Sequence, residues 1–468
     1  MKNTVIQFGT DGWRSLIAED YTFRNVRRLA DALGRQLPPR SKIVVGYDHR
    51  FLSNRFAETT ARVLTAAGHN VIVTPKATTS PALSFSVRHL RARAGVMITA
   101  SHNPPLYNGF KVKSSKGSSA DPEFTRQLES NISDEVPPLP PLPKKEGRSY
   151  SPDKDYLTFL KSKLNTSLLR KRPVSIVADG MHGYGGKLFQ DLLDQLPLRG
   201  TVIRQDHDPL FGGVSPEPIE KYLAPLREAV LKSKAAIGLA VDGDGDRIGV
   251  IDEKGQYLPP HHVFPLLLLH LIENKKLRGK AVQTTSLGYI SEHIAQKYGI
   301  PFEEVPVGFK YVVSVMEKER VVLGGEESGG YGVGLWAPER DGLLSSLLLI
   351  ELMATRGQPL SKIVEQMQAS YGRSNFIRED FPIKHTINSK KDWVASLTAK
   401  LPKKLVGKPI KEIRTIDGLK IILEDGSWVL LRPSGTEPLM RTYAEAPQLS
   451  QVKAMLAKIQ EIAIMKLS

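Results

Sequence analysis

Residues 42–74 read KIVVGYDHRFLSNRFAETTARVLTAAGHNVIVT, and the fold follows from this stretch. An aliphatic run, IVVGYD, ends in a polar turn. The helix-patterned FAETTARVLTAAG comes next, and NVIVT closes the unit with a second apolar run. Valine and isoleucine without polar alternation suit strands buried on both faces, as in a parallel sheet covered by helices. The plan recurs at Pro173–Arg204 (VSIVADGMHGYGG, KLFQDLLDQL, TVIR) and at Lys280–Val305 (AVQTTSLG, YISEHIAQKYG, FEEV). Three βαβ units predict three related α/β domains with mixed or parallel sheets.

Working outward, residues 133–153 (SDEVPPLPPLPKKEGRSYSPD) concentrate proline and charge and read as a connector. Beyond Gly372 the pattern alternates. EIRTIDGLKIILEDGSWVLLRPSGTEPLMRTYAEA predicts antiparallel strands turning at Asp417-Gly418 and Asp425-Gly426, and a helix over Leu449–Lys466 closes the chain. The expected division is 1–145, 146–255 and 256–371 for the α/β domains and 372–468 for a C-terminal α+β domain. A chain of 468 residues is too long for one ordinary core, which agrees with several domains.

At 41% hydrophobic and 24% charged residues, the composition is that of a soluble globular protein. The absence of cysteine excludes disulfides, thiolate nucleophiles and Cys-ligated zinc. The start, MKNTVIQFGTDGWRS, lacks the apolar core of a signal peptide. The longest apolar runs, Val263–Leu269 and Leu343–Ile350, fall short of a membrane span of about 20 residues. A cytoplasmic protein without a membrane partner is expected. The net charge of +16 suits nucleic acid, an anionic membrane surface or a phosphorylated small substrate. No nucleic-acid motif is present, and aromatic residues do not interleave with the basic clusters Arg24–Arg28 and Arg88–Arg93. A basic nucleic-acid-binding protein is therefore the weaker alternative.

Four segments carry chemistry. In VDGDGDRIG, Val241–Gly249, Asp242, Asp244 and Asp246 alternate with glycines after an apolar strand. Carboxylates so close repel one another unless a cation neutralises them, and all-oxygen ligation favours magnesium, then manganese or calcium. An EF-hand is not expected, because Glu253, twelfth from Asp242, follows a strand-like IGVI. In MITASHNPPLYNGFK, Met97–Lys111, a strand ends at Ser101, His102 and Asn103, where ligands bind in α/β folds. No G-x-S-x-G elbow accompanies that serine, so a hydrolase triad is not indicated. LRPSGTEPLMR, Leu431–Arg441, offers Arg432, Ser434, Thr436, Arg441 and the backbone around Gly435 as a phosphate cradle. LGGEESGGYG, Leu323–Gly332, places Glu326 and Ser328 on a glycine-rich loop suited to sugar hydroxyls.

Together with FGTDGWR near the start, TASHNP, DGDGDR, GEESGG and RPSGTEP in this order resemble the α-D-phosphohexomutase family of phosphoglucomutases, phosphomannomutases and phosphoglucosamine mutases. The resemblance spans nearly the whole chain. It implies three related α/β domains and a C-terminal domain of another kind around a central cleft. It implies a phosphorylated Ser101 and one Mg2+ held by Asp242, Asp244, Asp246 and a phosphoserine oxygen. Arg247 would face the transferring group, Lys111 would be general base or acid with a lowered pKa, His102 would be a second candidate, and Arg14 and Thr10 would line the site. Gly308 and Lys310 of PVGFKY resemble a further ligand loop. The implied reaction interconverts hexose 1- and 6-phosphates, glucose first, through a 1,6-bisphosphate, with glucose 1,6-bisphosphate or a similar compound as activator. A sugar-bisphosphate synthase using the same phosphoserine is the close alternative, and a monomer or homodimer is expected. In YGVGLWAPERDG, Leu335 and Trp336 precede Glu339, Arg340 and Asp341, whereas many relatives place a histidine after the sugar loop. That departure leaves the identity of the sugar open.

Overall fold

The computed structural model describes residues 5–9, 11–141, 148–383, 387, 389–434 and 438–464. Residues 42–74 fold as read: strand Lys42–Tyr47, helix Ser53–Ala66 and strand Asn70–Val73, with the strands parallel. The six-stranded first sheet runs in the order Trp13–Leu16, Tyr107–Ser114, Ala94–Ile98, Lys42–Tyr47, Asn70–Val73, Arg148–Ser149. The last of these strands comes from the proline-rich segment, so its end is stitched onto the first sheet beside Ile72 and Val73.

The second sheet orders Tyr257–Leu258, Ile248–Asp252, Ile237–Val241, Ser175–Asp179 and Arg199–Ile203. The third orders Phe302–Val305, Lys280–Thr284, Val321–Gly325 and Tyr331–Val333. The fourth is antiparallel throughout, from Asn375–Pro382 through Leu439–Ala446, Trp428–Pro433, Leu419–Leu423 and Lys408–Arg414 to Lys404–Leu405. Helix Leu449–Ile464 packs on it.

The apolar runs that fall short of a membrane span lie in helices Pro260–Glu273 and Gly342–Arg356. Both are buried nearly all round because they fill one core shared by the second and third sheets. Asp341 caps the second of them by accepting the Leu344 N–H, and Gly357 ends it at φ 62°. Among the described residues no helix is long and apolar enough to cross a membrane. The first and fourth sheets have cores of their own.

One local plan is used three times. In each α/β sheet a parallel strand runs out to a loop and an antiparallel strand returns: Ala94–Ile98 with Tyr107–Ser114, Ile237–Val241 with Ile248–Asp252, and Val321–Gly325 with Tyr331–Val333. The three loops sit at the carboxyl ends of parallel strands, where α/β folds bind ligands. They hold Ser101, the three aspartates and Glu326.

Candidate active site

Ser101 follows strand Ala94–Ile98 in a left-handed conformation, φ 54°, which is uncommon for a residue with a Cβ atom. Arg50 holds that turn in place. Its guanidinium donates to the carbonyls of Ser101 and Asn103 at 2.6 Å and of Pro104 and Tyr107 at 2.9 Å. Asp48 anchors Arg50 at 3.3 Å while accepting hydrogen bonds from Thr99 and Ser53. Strain at Ser101 is thus offset by four charge-assisted hydrogen bonds.

The Ser101 hydroxyl donates to Asp242 Oδ2 at 2.7 Å and stands 3.3 Å from His102 Nδ1. Asp242 Oδ1 accepts the N–H groups of Asp246 (2.8 Å) and Arg247 (3.1 Å), which curls the DGDGDR loop round its first carboxylate. The three aspartates are buried, and oxygens from each lie within 4.8 Å of one another. Asp244 Oδ1 and Asp246 Oδ1 are buried without a hydrogen-bond partner among the described residues. Orphaned carboxylate oxygens in an all-oxygen cluster fit a hard divalent cation. Glu253 lies elsewhere, accepting from Ser361.

Their other oxygens are taken by cations. Lys111 Nζ reaches Asp11 (2.7 Å), Asp244 (2.8 Å) and Asp246 (3.4 Å). Arg340 Nη2 lies on Asp11 at 2.5 Å and Asp246 at 2.7 Å, and Nη1 lies 3.3 Å from Glu326. Ser80 also donates to Asp244. Burial raises the Asp242 pKa, and its neighbours Asp246 and Asp244 add to that. Burial works in the same direction on Asp244, but Lys111 and the Ser80 hydrogen bond together outweigh it and the net shift is downward.

The expected lowering of the Lys111 pKa is not what the geometry gives. Burial does depress it, yet Asp11, Asp244 and Asp246 together prevail and hold it above its ordinary value. These carboxylates come from two separate segments of the chain, at residue 11 and at residues 244 and 246. His102 goes the other way: burial first, then Arg247 and Arg14, keep its ring neutral. Arg14 joins the serine turn through Asn103 Oδ1 at 2.8 Å. Arg247 lies 3.9 Å from Asp246 and 4.0 Å from Glu217.

Glu326 is buried, which raises its pKa, while Arg340 beside it works against that rise. The Ser328 hydroxyl is buried without a partner among the described residues. Gly308, at φ 131°, starts helix Phe309–Met316, and Lys310 Nζ stands 5.3 Å over the Tyr311 ring. Phe309 lies under the Arg340 guanidinium at 5.0 Å, tying that loop to the charged cluster.

In the fourth sheet Arg432 and Arg441 are paired across neighbouring strands, with Ser434 buried just beyond. Arg432 Nε donates to Asp417 Oδ2 at 2.6 Å, and Arg441 lies 3.9 Å from Asp380. Thr10, Gly435 and Thr436 lie outside the described residues. The structure therefore gathers Ser101, His102, Arg14, Lys111, the aspartates, Arg247 and Glu326 around one charged cluster. Arg432, Ser434 and Arg441 stand apart from it on the fourth sheet.

Family profiles of phosphoglucomutase/phosphomannomutase match the chain in four pieces: α/β/α domain I over residues 5–137, domain II over 154–255, domain III over 259–371 and the C-terminal domain over 385–462. The chain belongs to the α-D-phosphohexomutase family. Like its relatives in that family, it is a phosphotransferase of the mutase type. Phosphoglucosamine mutase of Clostridioides difficile (strain 630) is 31% identical, covering 98% of this chain and 99% of its own. Phosphoglucomutase/phosphomannomutase of Thermococcus kodakarensis is 29% identical, covering 96% of each chain. A crystal structure from Thermus thermophilus described as a phosphomannomutase has a TM-score of 0.87 at 32% identity, over 99% of this chain and 100% of its own.

Within this phosphohexomutase site several residues escaped the sequence reading: Asp11, Arg50, Ser80, Arg340 and Asp417. A signal existed for Arg50, which follows a strand's carboxyl end just as Ser101 does. Leu335 and Trp336 pack against the shared core, Trp336 5.5 Å from Phe159, so the segment's contribution to the site is Arg340.

Proposed function

We propose that the chain interconverts hexose 1-phosphates and hexose 6-phosphates through phospho-Ser101 and a bound 1,6-bisphosphate. The single observation that carries this reading is the Ser101 hydroxyl on Asp242 beside two buried carboxylate oxygens that accept no hydrogen bond among the described residues. In the first half-reaction a free hydroxyl of the sugar monophosphate attacks phosphorus. The new O–P bond forms as the bond to Ser101 Oγ breaks. The sugar then turns over and its other phosphate returns to Ser101. His102, whose ring is neutral, takes the proton that leaves the attacking hydroxyl, and Lys111, held charged by its three carboxylates, is the acid that supplies a proton to the serine oxygen.

Asp242, Asp244 and Asp246, with a phosphoserine oxygen, would hold magnesium, which would supply charge neutralisation for the transferring phosphoryl group. Arg247 and Arg14 add positive charge beside Ser101. Glu326 and Ser328 grip hydroxyls common to both orientations, Gly308 and Lys310 approach the sugar from the ligand loop, and the turn of Arg432, Ser434, Gly435, Thr436 and Arg441 takes the distal phosphate. Relatives named for glucosamine, glucose and mannose phosphates make these the sugars to compare, with glucose 1-phosphate first.

The test supplies purified protein with Mg2+ and glucose, mannose or glucosamine 1-phosphate, with and without a trace of the 1,6-bisphosphate as activator. The expected result is 6-phosphate product, and an intact mass one phosphoryl group heavier that maps to Ser101 and is lost on adding sugar phosphate. No isomerisation of any of the three would sink the reading. Net accumulation of bisphosphate would replace it with the synthase.

A further inference from the structure

Asp417 joins two loops that lie on different sheets. It stands in the turn between strands Lys408–Arg414 and Leu419–Leu423 of the fourth sheet. Its Oδ2 accepts Arg432 Nε–H at 2.6 Å and the backbone N–H of Val307 at 3.1 Å, and its Oδ1 accepts Lys390 Nζ at 3.3 Å. Val307 directly precedes Gly308 and the helix that carries Lys310. One carboxylate oxygen thus holds both an arginine of the phosphate turn and the backbone of the ligand loop.

The arrangement is built rather than incidental. Gly418 sits at φ 110°, and a Cβ atom there would lie 2.2 Å from the carbonyl oxygen of Leu431. Only glycine lets the turn press against the strand end that presents Arg432. The Asp417 and Arg432 side chains are only 10% and 13% exposed, so the pair is little screened by solvent. Because Asp417 engages Nε, the Nη edge of the guanidinium fork lies outside this ion pair, in the geometry that receives a phosphate bidentately.

Building on the proposed function, we infer that Asp417 is a positioning residue that couples the phosphate turn to the ligand loop. It sets the plane of Arg432 for the distal phosphate and holds Val307–Lys310 for the same substrate. An acceptor is sufficient for Val307, whereas the fixed plane of Arg432 also needs the charge.

The experiment compares wild type, Asp417→Ala, Asp417→Asn, Arg432→Ala and the Asp417→Ala/Arg432→Ala pair. Kinetics use glucose 1-phosphate, and amide hydrogen exchange is followed across residues 306–310. Asp417→Ala is expected to raise KM by about tenfold with kcat within about twofold, the pattern of lost uniform binding. In Arg432→Ala it should add little, because the two act as one unit. Exchange at Val307 should rise in Asp417→Ala and stay near wild type in Asp417→Asn and Arg432→Ala. Should Asp417→Ala fail to fold, Asp417→Asn carries the test with a partial rise in KM at unchanged Val307 exchange. Unchanged KM, additive losses, or Val307 exchange indifferent to Asp417→Ala would each overturn the coupling. A wild type that turns over no hexose phosphate would instead overturn the proposed function. The exchange data and calorimetric binding of inorganic phosphate by the same variants would then decide the coupling alone.

Discussion

Ser101 Oγ and Asp242 Oδ2 meet at 2.7 Å, a hydrogen bond that closes the end of the first sheet against the end of the second. The donor is the candidate nucleophile and the acceptor a candidate metal ligand, so each side of the junction is incomplete alone. Ser101→Ala is expected to abolish phosphoryl uptake in intact-mass measurements. Turnover should fall by about 10³-fold or more, the scale of losing a group that acts directly on a transferring phosphoryl. Thermal stability should fall by roughly 1–3 kcal/mol, because alanine leaves the buried Asp242 Oδ2 without its donor.

The orphaned oxygens of Asp244 and Asp246 give a second expectation. Magnesium should raise the wild-type thermal midpoint, by a stabilisation of about 2.7 kcal/mol when the ion is at about 100 times its Kd. Asp244→Asn should blunt that rise. Titration calorimetry with Mg2+ checks it without any turnover, and equal Mg2+ affinity in both proteins would exclude Asp244 as a ligand.

A Cβ atom at Gly330 would fall 2.4 Å from Cδ of Arg340, inside any permitted contact. Glycine there makes room for the guanidinium that joins Asp11, Asp246 and Glu326. Gly330→Ala should therefore push Arg340 off its partners, costing roughly 1–3 kcal/mol of stability as an overpacked site does. A displacement of about 1 Å in the cluster also warrants a fall in kcat/KM of up to about 10²-fold. Urea unfolding and steady-state kinetics of one variant test both parts.

The first βαβ unit was legible because its strands carry unbroken valine and isoleucine runs on either side of a helix-patterned segment, and the other two because they repeat that order of strand, turn, helix and strand. The metal loop was legible because three carboxylates in five residues have few other uses. Arg340 and Asp11 were not. Each is an ordinary charged residue locally, and its role arises only when loops from three sheets meet. The Lys111 pKa was misread for the same reason, since its carboxylate partners lie at residues 11, 244 and 246. Long-range charge contacts have no period in the chain, whereas buried strands and helices do.

His49 yields an expectation for pH. Its Nδ1 lies 2.7 Å from the His182 carbonyl, and its ring faces His207 at 4.4 Å and Tyr184 at 5.6 Å, where the first and second sheets adjoin. His207 Nε2 in turn reaches the His49 carbonyl at 3.0 Å, and His182 Nδ1 lies 3.3 Å from Asp206. Burial is the main reason its pKa falls from 6.5 to about 4. His207 and His182 add to the fall, while the bond to the His182 carbonyl and the charge of Asp206 oppose it. Between those two values the unfolded chain binds a proton at this position and the folded chain does not. Stability from His49 is therefore complete above pH 6.5 and is lost as pH drops toward 4, by at most on the order of 3 kcal/mol. His49→Gln should lose less stability than wild type between pH 7.5 and pH 5 in urea unfolding. An identical pH slope in the two proteins would mean that His49 titrates normally in the folded state.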